Sequence, residues 1–288
     1  MIHETEPDGV GGLASIATLF LANRECPWRC LMCDLWRNTL DETVPPGAIA
    51  AQIRSGLDKL PPARWIKLYN AGSFFDPRAI PPDEYEEIAR LLDPFDRVIV
   101  ECHPALVGSR VDRFQELLNG RLEIAVGLET ANPRVLAILN KGMTTDDFAR
   151  AADYLHAREI DLRTFILLRP PFMTEEAGVE WAHRSLDFAW NCGARVCALI
   201  PTRGGNGALE KLAAEGFFHP PKLTSIESTV EYGLNLRRSL VFADLWDLEQ
   251  FADCNDCFPR RRDRLAEMNL SQTVLPPIDC QRCGHSAA

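Results

Sequence analysis

No stretch of this chain approaches the roughly 20 consecutive apolar residues that a transmembrane helix needs, so a membrane-spanning role is not expected. The opening residues, Met1-Ile2-His3-Glu4-Thr5-Glu6, lack the basic-then-apolar pattern of a secretion signal. A cytoplasmic location is therefore expected, where the 10 cysteines should be metal ligands or reduced thiols rather than disulfides. Positive charge is scarce: 31 Lys and Arg stand against 41 Asp and Glu, a net charge of −10. That balance disfavours tight, unassisted binding to nucleic acid, whose affinity rests on Lys and Arg, although a local basic site stays open. Neither a solenoid-period repeat nor a low-complexity segment is present, which excludes repeat arrays and disordered tracts. What remains, 288 residues of which 46% are apolar, suits one large α/β domain, or one domain plus a small appendage.

Short β-like runs alternate with longer helical patterns. Strands are expected at 16–22, 65–69, 97–102, 123–128, 162–168 and 195–200, and a further short one at 240–243. Helices are expected at 48–60, 83–92, 111–118, 133–139, 145–158 and 175–190, then at 208–215 and 224–236. Asp146 and Asp147 suit a helix N-terminus, Thr174 suits a cap, and Gly193 is placed to end the helix before it. Six strand–helix repeats imply a parallel sheet with right-handed crossovers. A partial (β/α)6 TIM-like barrel is the expected fold, with a doubly wound open sheet as the competing architecture. Either type gathers its chemistry at the C-terminal ends of the strands. Residues 1–203 form the expected core. Residues 204–288 form an expected C-terminal, cysteine-rich metal-binding extension that opens on a flexible loop at Gly204-Gly205-Asn206-Gly207.

Just after the first expected strand comes Cys26-Pro27-Trp28-Arg29-Cys30-Leu31-Met32-Cys33, a C-x3-C-x2-C spacing. A [4Fe–4S] cubane normally takes four thiolates, so a compact triplet leaves one iron open to a substrate or cofactor. A zinc site or scattered buried thiols are the alternatives, but zinc prefers paired C-x2-C hooks and a closed shell. In spacing and context the triplet resembles the signature of the radical S-adenosylmethionine (SAM) superfamily. The runs Gly127-Leu128-Glu129-Thr130-Ala131 and Leu139-Asn140-Lys141-Gly142-Met143-Thr144 resemble its Elp3-like subgroup, and within it the archaeosine-synthase radical SAM type.

The resemblance implies a [4Fe–4S] cluster on Cys26, Cys30 and Cys33, with SAM on the fourth iron. It also implies reductive cleavage to a 5′-deoxyadenosyl radical and an external electron donor of flavodoxin or ferredoxin type. At the second strand end, Asn70 and Ser73 offer hydrogen-bonding groups and Gly72 lets backbone approach a ligand. In the family a loop here holds the amino group of SAM, often as Gly-Gly-Glu; this chain lacks that Glu. Glu129 is the candidate for the SAM ribose hydroxyls, because a carboxylate accepts two hydrogen bonds. Glu101 is a second polar candidate, for SAM or substrate; each acid could instead be a surface salt-bridge partner. Arg169 could pair with the SAM carboxylate or a substrate anion, or lie free on the surface. Trp28 and Met32 are expected to cover the cluster. His103 lies at a strand end; His156 and His183 read as structural, and Cys102, Cys192 and Cys197 as buried thiols.

The tail carries Cys254-Asn255-Asp256-Cys257 and Cys280-Gln281-Arg282-Cys283, two C-x2-C hooks around a 22-residue spacer. Such a set suits a structural zinc, with an auxiliary [4Fe–4S] cluster as the competing reading and His285 as a spare ligand. The run Arg260-Arg261-Arg262-Asp263-Arg264 reads first as a solvated face, and second as a contact for phosphate. By resemblance the substrate is a modified tRNA base, with a partner enzyme that delivers it. A small molecule or peptide is the alternative, and a non-catalytic iron–sulfur electron-transfer protein the alternative of a different class. No residue stands out in the sequence as a late hydrogen donor or acceptor.

Overall fold

The computed structural model describes residues 1–283. Its centre is one eight-stranded sheet whose strands follow one another in sequence order, β1 (Ile2–Pro7), β2 (Leu13–Phe20), β3 (Trp65–Tyr69), β4 (Arg97–Glu101), β5 (Arg121–Glu129), β6 (Asp161–Leu168), β7 (Val196–Pro201) and β8 (Leu240–Ala243). From β2 onward every pair is parallel; β1 is antiparallel to β2. The strands curl into a nearly closed barrel. The connecting helices are α1 (Ala48–Leu57), α2 (Tyr85–Leu92), α3 (Ser109–Leu117), α4 (Pro133–Ile138), α5 (Thr145–His156), α6 (Glu175–Asn191), α7 (Ala208–Ala214) and α8 (Leu223–Leu236), and α9 (Phe258–Ser271) follows β8.

The parallel strands and their helices match the sequence expectation closely, because local chemistry and burial agree. Thr144 and Asp147 form a reciprocal capping box at α5, Thr174 caps α6, and Gly193 ends it with φ +82°. β1 escaped notice. Its run Ile-His-Glu-Thr-Glu-Pro alternates only weakly, and its place comes from pairing with β2 and from charges inside the barrel.

The strands' outward positions are apolar and pack on the helices: Ile66, Leu68, Val98, Val100, Ile124, Val126, Ile166 and Leu168 join one continuous core. A second set, one residue out of step on the same strands, carries charge instead. Arg163 reaches both Glu6 (2.6 Å) and Glu123 (2.7 Å), Lys67 binds Glu4 (2.8 Å) and Glu6, and Arg97 binds Glu123 (2.8 Å) and Asp161. Glu123 is fully buried and Arg163 nearly so. This network ties the antiparallel edge strand β1 to β5 and β6, filling with ion pairs a layer that branched aliphatic side chains fill in many barrels.

The run between the tail hooks corrects the expectation of a solvated face. Arg261 and Arg264 are 2% and 5% exposed. Arg261 grips Glu227 of α8 through Nε and Nη2, and Arg264 binds Glu231 at 2.7 Å. Only one side of the run meets solvent, because α9 lies against β1 and β8.

Candidate functional site

The loop after β2 is anchored before it is chemical. A backbone bridge joins Arg24 to Leu40 at its base, with Glu25 N–H donating to the Leu40 carbonyl at 2.8 Å. Farther along, Leu31 N–H donates to the Leu139 carbonyl (2.9 Å) and Asn140 Nδ2 to the Arg29 carbonyl (2.9 Å). Asn206 Nδ2 donates to the Leu31 carbonyl at 2.6 Å, while its Oδ1 accepts from Ala208 and Leu209 to cap α7. The expected flexible stretch around Asn206 is therefore a clamp on the cysteine loop. Cys26, Cys30 and Cys33 are half-buried on that loop, and all three are free thiols. Burial pushes the Cys30 thiol up to about 12, and the Lys141 ammonium pulls the other way.

Lys141 has no distinguishing signal within the run 139–144, and its role appears only in the fold. Its Nζ lies 2.6 Å from Glu129 Oε1. Burial alone would lower its pKa, but Glu129, Cys30 and Cys26 outweigh that and hold the ammonium above the usual lysine value. The backbone explains the placement of Glu129. The β5–β6 register slips between Gly127 and Glu129, and Glu129 sits in the left-handed region at φ +63°. Such a bulge re-aims a side chain at a strand end. A methyl group at Gly127 would stand 2.2 Å from Glu129 Oε1 and 2.5 Å from Lys141 Nζ, so the pair depends on that glycine.

At the ends of β3 and β4, Glu101 Oε2 accepts from the Asn70 N–H at 3.0 Å. Burial raises the Glu101 carboxyl to about 7, against the opposing Asn70 hydrogen bond and Lys141 charge. Asn70 itself is fully buried, and neither its Nδ2 nor its Oδ1 has a partner among the described residues. An unsatisfied buried amide is costly, and a bound ligand with complementary groups would relieve it. Gly72 lies against the cysteine loop: a Cβ there would be 3.3 Å from Cys26 Cβ. Ser73 is a strut, its Oγ accepting from the His103 N–H at 3.2 Å.

His103 joins these parts. Its Nδ1 accepts from Ala105 N–H (3.2 Å), so the Nε2 proton faces the Lys141 carbonyl at 2.9 Å. Burial holds its pKa at about 4, which keeps the ring neutral. Trp28, inside the cysteine loop, stacks on it with centroids 3.6 Å apart and planes 9° apart. Gly142 leaves room for the indole, whose Cδ1 would lie 2.9 Å from a Cβ there. Arg169, at the end of β6, is engaged rather than free: Nη1 meets Glu175 Oε2 at 2.5 Å and the Pro220 carbonyl at 2.8 Å, while its buried Nε has no partner among the described residues.

Cys26, Cys30, Cys33, Asn70, Gly72, Ser73, Glu101 and Glu129 thus sit together at the C-terminal ends of β2 to β5, while Arg169, at the end of β6, is held by Glu175 and Pro220. An open cavity of about 780 Å³ lies elsewhere, at the N-terminal ends of β5 and β6 beside Arg121 and Asp161, and holds none of them. Residues 22–179, more than half the chain, match the radical SAM superfamily model. The chain belongs to the radical SAM superfamily. Two curated relatives are each named archaeosine synthase subunit beta. One, from Thermococcus kodakarensis, is 28% identical over 203 residues, covering 65% of this chain and 62% of that protein. The other, from Methanosarcina acetivorans, is 27% identical over 235 residues, covering 77% of this chain and 68% of that one. Among solved structures, the archaeal Elp3 of Methanocaldococcus infernus shares the fold with a TM-score of 0.59 at 10% identity, covering 88% of this chain and 63% of that one.

The residues fit the groups a radical SAM enzyme carries. Three thiols on one pinned loop suit a cubane with an open iron, and Lys141 offsets their charge. The orphaned Asn70 amide and the Glu129 carboxylate offer polar partners beside that loop.

In the tail, the sulfurs of Cys254, Cys257, Cys280 and Cys283 all lie within 4.8 Å of one another. His285 falls outside the described residues.

Proposed function

We propose that this radical SAM enzyme abstracts a hydrogen atom from a nucleoside of tRNA. A [4Fe–4S] cluster on Cys26, Cys30 and Cys33 and SAM at the ends of β3 to β5 would serve the reaction. When bound, these groups supply a one-electron cleavage that yields the 5′-deoxyadenosyl radical. The observation that carries the SAM site is the buried Asn70 amide, doubly unpartnered among the described residues, next to Gly72, whose backbone lies against Cys26.

The chain's own residues have definable tasks. Glu129, oriented by Lys141, accepts from ribose hydroxyls. Asn70 and the Gly72 backbone bind the amino-acid end of SAM, with Ser73 fixing the turn through His103. Glu101, with its pKa near 7, keeps a proton near neutrality and can donate as well as accept. Arg169 has one unpartnered donor, Nε, to offer an anion. Trp28 and His103 form a flat wall that excludes water from the thiolates. A flavodoxin- or ferredoxin-type protein supplies the electron, and the four tail cysteines hold a further metal or cluster.

The tRNA reading is supported by the relatives' names and by the Elp3-like motifs. Those names describe a subunit, which favours a second protein that brings the RNA and relieves the repulsion from a net charge of −10. The same acidic balance favours, as a second reading, a small molecule or peptide as substrate. Deuterium transfer distinguishes them. With tRNA deuterated in its modified bases, label is expected in 5′-deoxyadenosine. Label arriving only from a deuterated small molecule or peptide would overturn the tRNA assignment.

A further inference from the structure

The four tail cysteines have no task in the pocket. Cys254 Sγ lies 4.0 Å from Cys280 Sγ, and Cys257 Sγ lies 3.9 Å from Cys283 Sγ. A tetrahedral ion with metal–sulfur bonds of about 2.3 Å sets its sulfurs about 3.8 Å apart. A cubane gives each thiolate its own iron and spreads the sulfurs more widely. The spacing is that of one ion, and four thiolates select a soft, tetrahedral divalent metal of the zinc type.

The ion would close a loop around α9. Cys257 is the residue before its first turn, and Cys280 and Cys283 follow its end. Asn269 exchanges two hydrogen bonds with Ala243: Oδ1 accepts from the N–H at 2.8 Å and Nδ2 donates to the carbonyl at 2.9 Å. Gln272 does the same with Val241, at 2.8 and 2.9 Å. Two side-chain amides thus stand in for a strand on the open edge of β8. Since α9 also packs on β1, it fills the seam between the first and last strands. Residue 269 meets 243 and residue 272 meets 241, so α9 runs counter to β8. Its N-terminal hook therefore lies toward the C-terminal end of that strand. An isolated helix of this length is marginal in water, and this one is rich in charge. Arg260, from its first turn, donates to the Asp279 carbonyl at 3.1 Å, and Arg282 binds Asp256 at 2.6 Å, so both hooks are also tied directly to each other.

We propose that Cys254, Cys257, Cys280 and Cys283 hold a single tetrahedral zinc-type ion, and that this ion clamps α9 into the barrel seam. This ion site is independent of SAM chemistry. Its first test is elemental analysis of the C26A/C30A/C33A variant after anaerobic loading with iron, sulfide and zinc. About one zinc per chain and negligible iron are expected. About four irons per chain in that variant would overturn the single-ion site. Cobalt loading of the same variant should give the intense visible bands of a tetrahedral thiolate site, and an octahedral spectrum would contradict it. For the clamp, C280S/C283S is compared with the wild-type holoprotein by hydrogen exchange. Loss of the zinc should raise exchange at least tenfold in β8 and α9 while β3 to β6 stay protected. Where that variant does not fold, wild-type protein treated with a zinc chelator replaces it. Zinc lost with β8 and α9 still protected would overturn the clamp.

Discussion

Gly127 carries no functional group, yet the charge pair of the pocket depends on it. A Cβ there cannot coexist with Glu129 Oε1 and Lys141 Nζ in their present places. G127A should fold, hold its cluster, and bind SAM about tenfold more weakly, about 1.4 kcal/mol. Equilibrium dialysis with reconstituted protein checks this, and unchanged affinity would detach Glu129 from the ribose. Glu101 gives a second prediction at this scale. Burial raises its folded pKa to about 7 from 4.5. The folded state then holds a proton that the unfolded state has released. Its contribution to stability is therefore greatest at low pH and declines as pH rises from about 4.5 to about 7. Thermal melts of wild type and E101Q across that window should diverge in slope, with the variant flatter. Parallel curves would show that the carboxyl titrates normally.

At the scale of elements, the ion-pair layer inside the barrel has its own pH signature. Burial would raise the Glu6 pKa, but Arg163 and Lys67 outweigh it and hold the value at about 2. That stabilisation is present above pH 4.5 and is lost as pH falls toward 2. Replacing Arg163 by Met leaves Glu6 and Glu123 buried without their main partner, and should cost about 3–5 kcal/mol in denaturant unfolding. A loss below about 1 kcal/mol would mean that the layer admits water.

The same layer shows where the sequence was legible and where it was not. The parallel strands and the α5 and α6 caps could be read because hydrophobic period and capping chemistry act within a few residues. Lys67, Arg97, Glu123 and Arg163 lie within those strands, but their partners come from other strands, β1, β4, β5 and β6. A pairing between Glu6 and Arg163 has no local trace. The site shows the same split. Cys26, Cys30 and Cys33 announce themselves by spacing. Lys141 and Asn206 act on that loop from more than 100 residues away, and only the fold brings them there.

For the whole molecule, the tail is part of the barrel's closure. Its chain returns as β8, and α9 covers the edge that β8 leaves open. The arginine run could not be read correctly from composition, since burial of Arg261 and Arg264 follows from Glu227 and Glu231 on α8. The barrel, the pinned cysteine loop and the polar strand ends converge on one chemistry. The most direct measurement is anaerobic assay of reconstituted protein with SAM and dithionite, reading 5′-deoxyadenosine by mass. Wild type is predicted to form it, and C30A to form none while remaining folded. A wild-type protein with an intact cluster and bound SAM that yields no 5′-deoxyadenosine, with or without tRNA, would contradict the account.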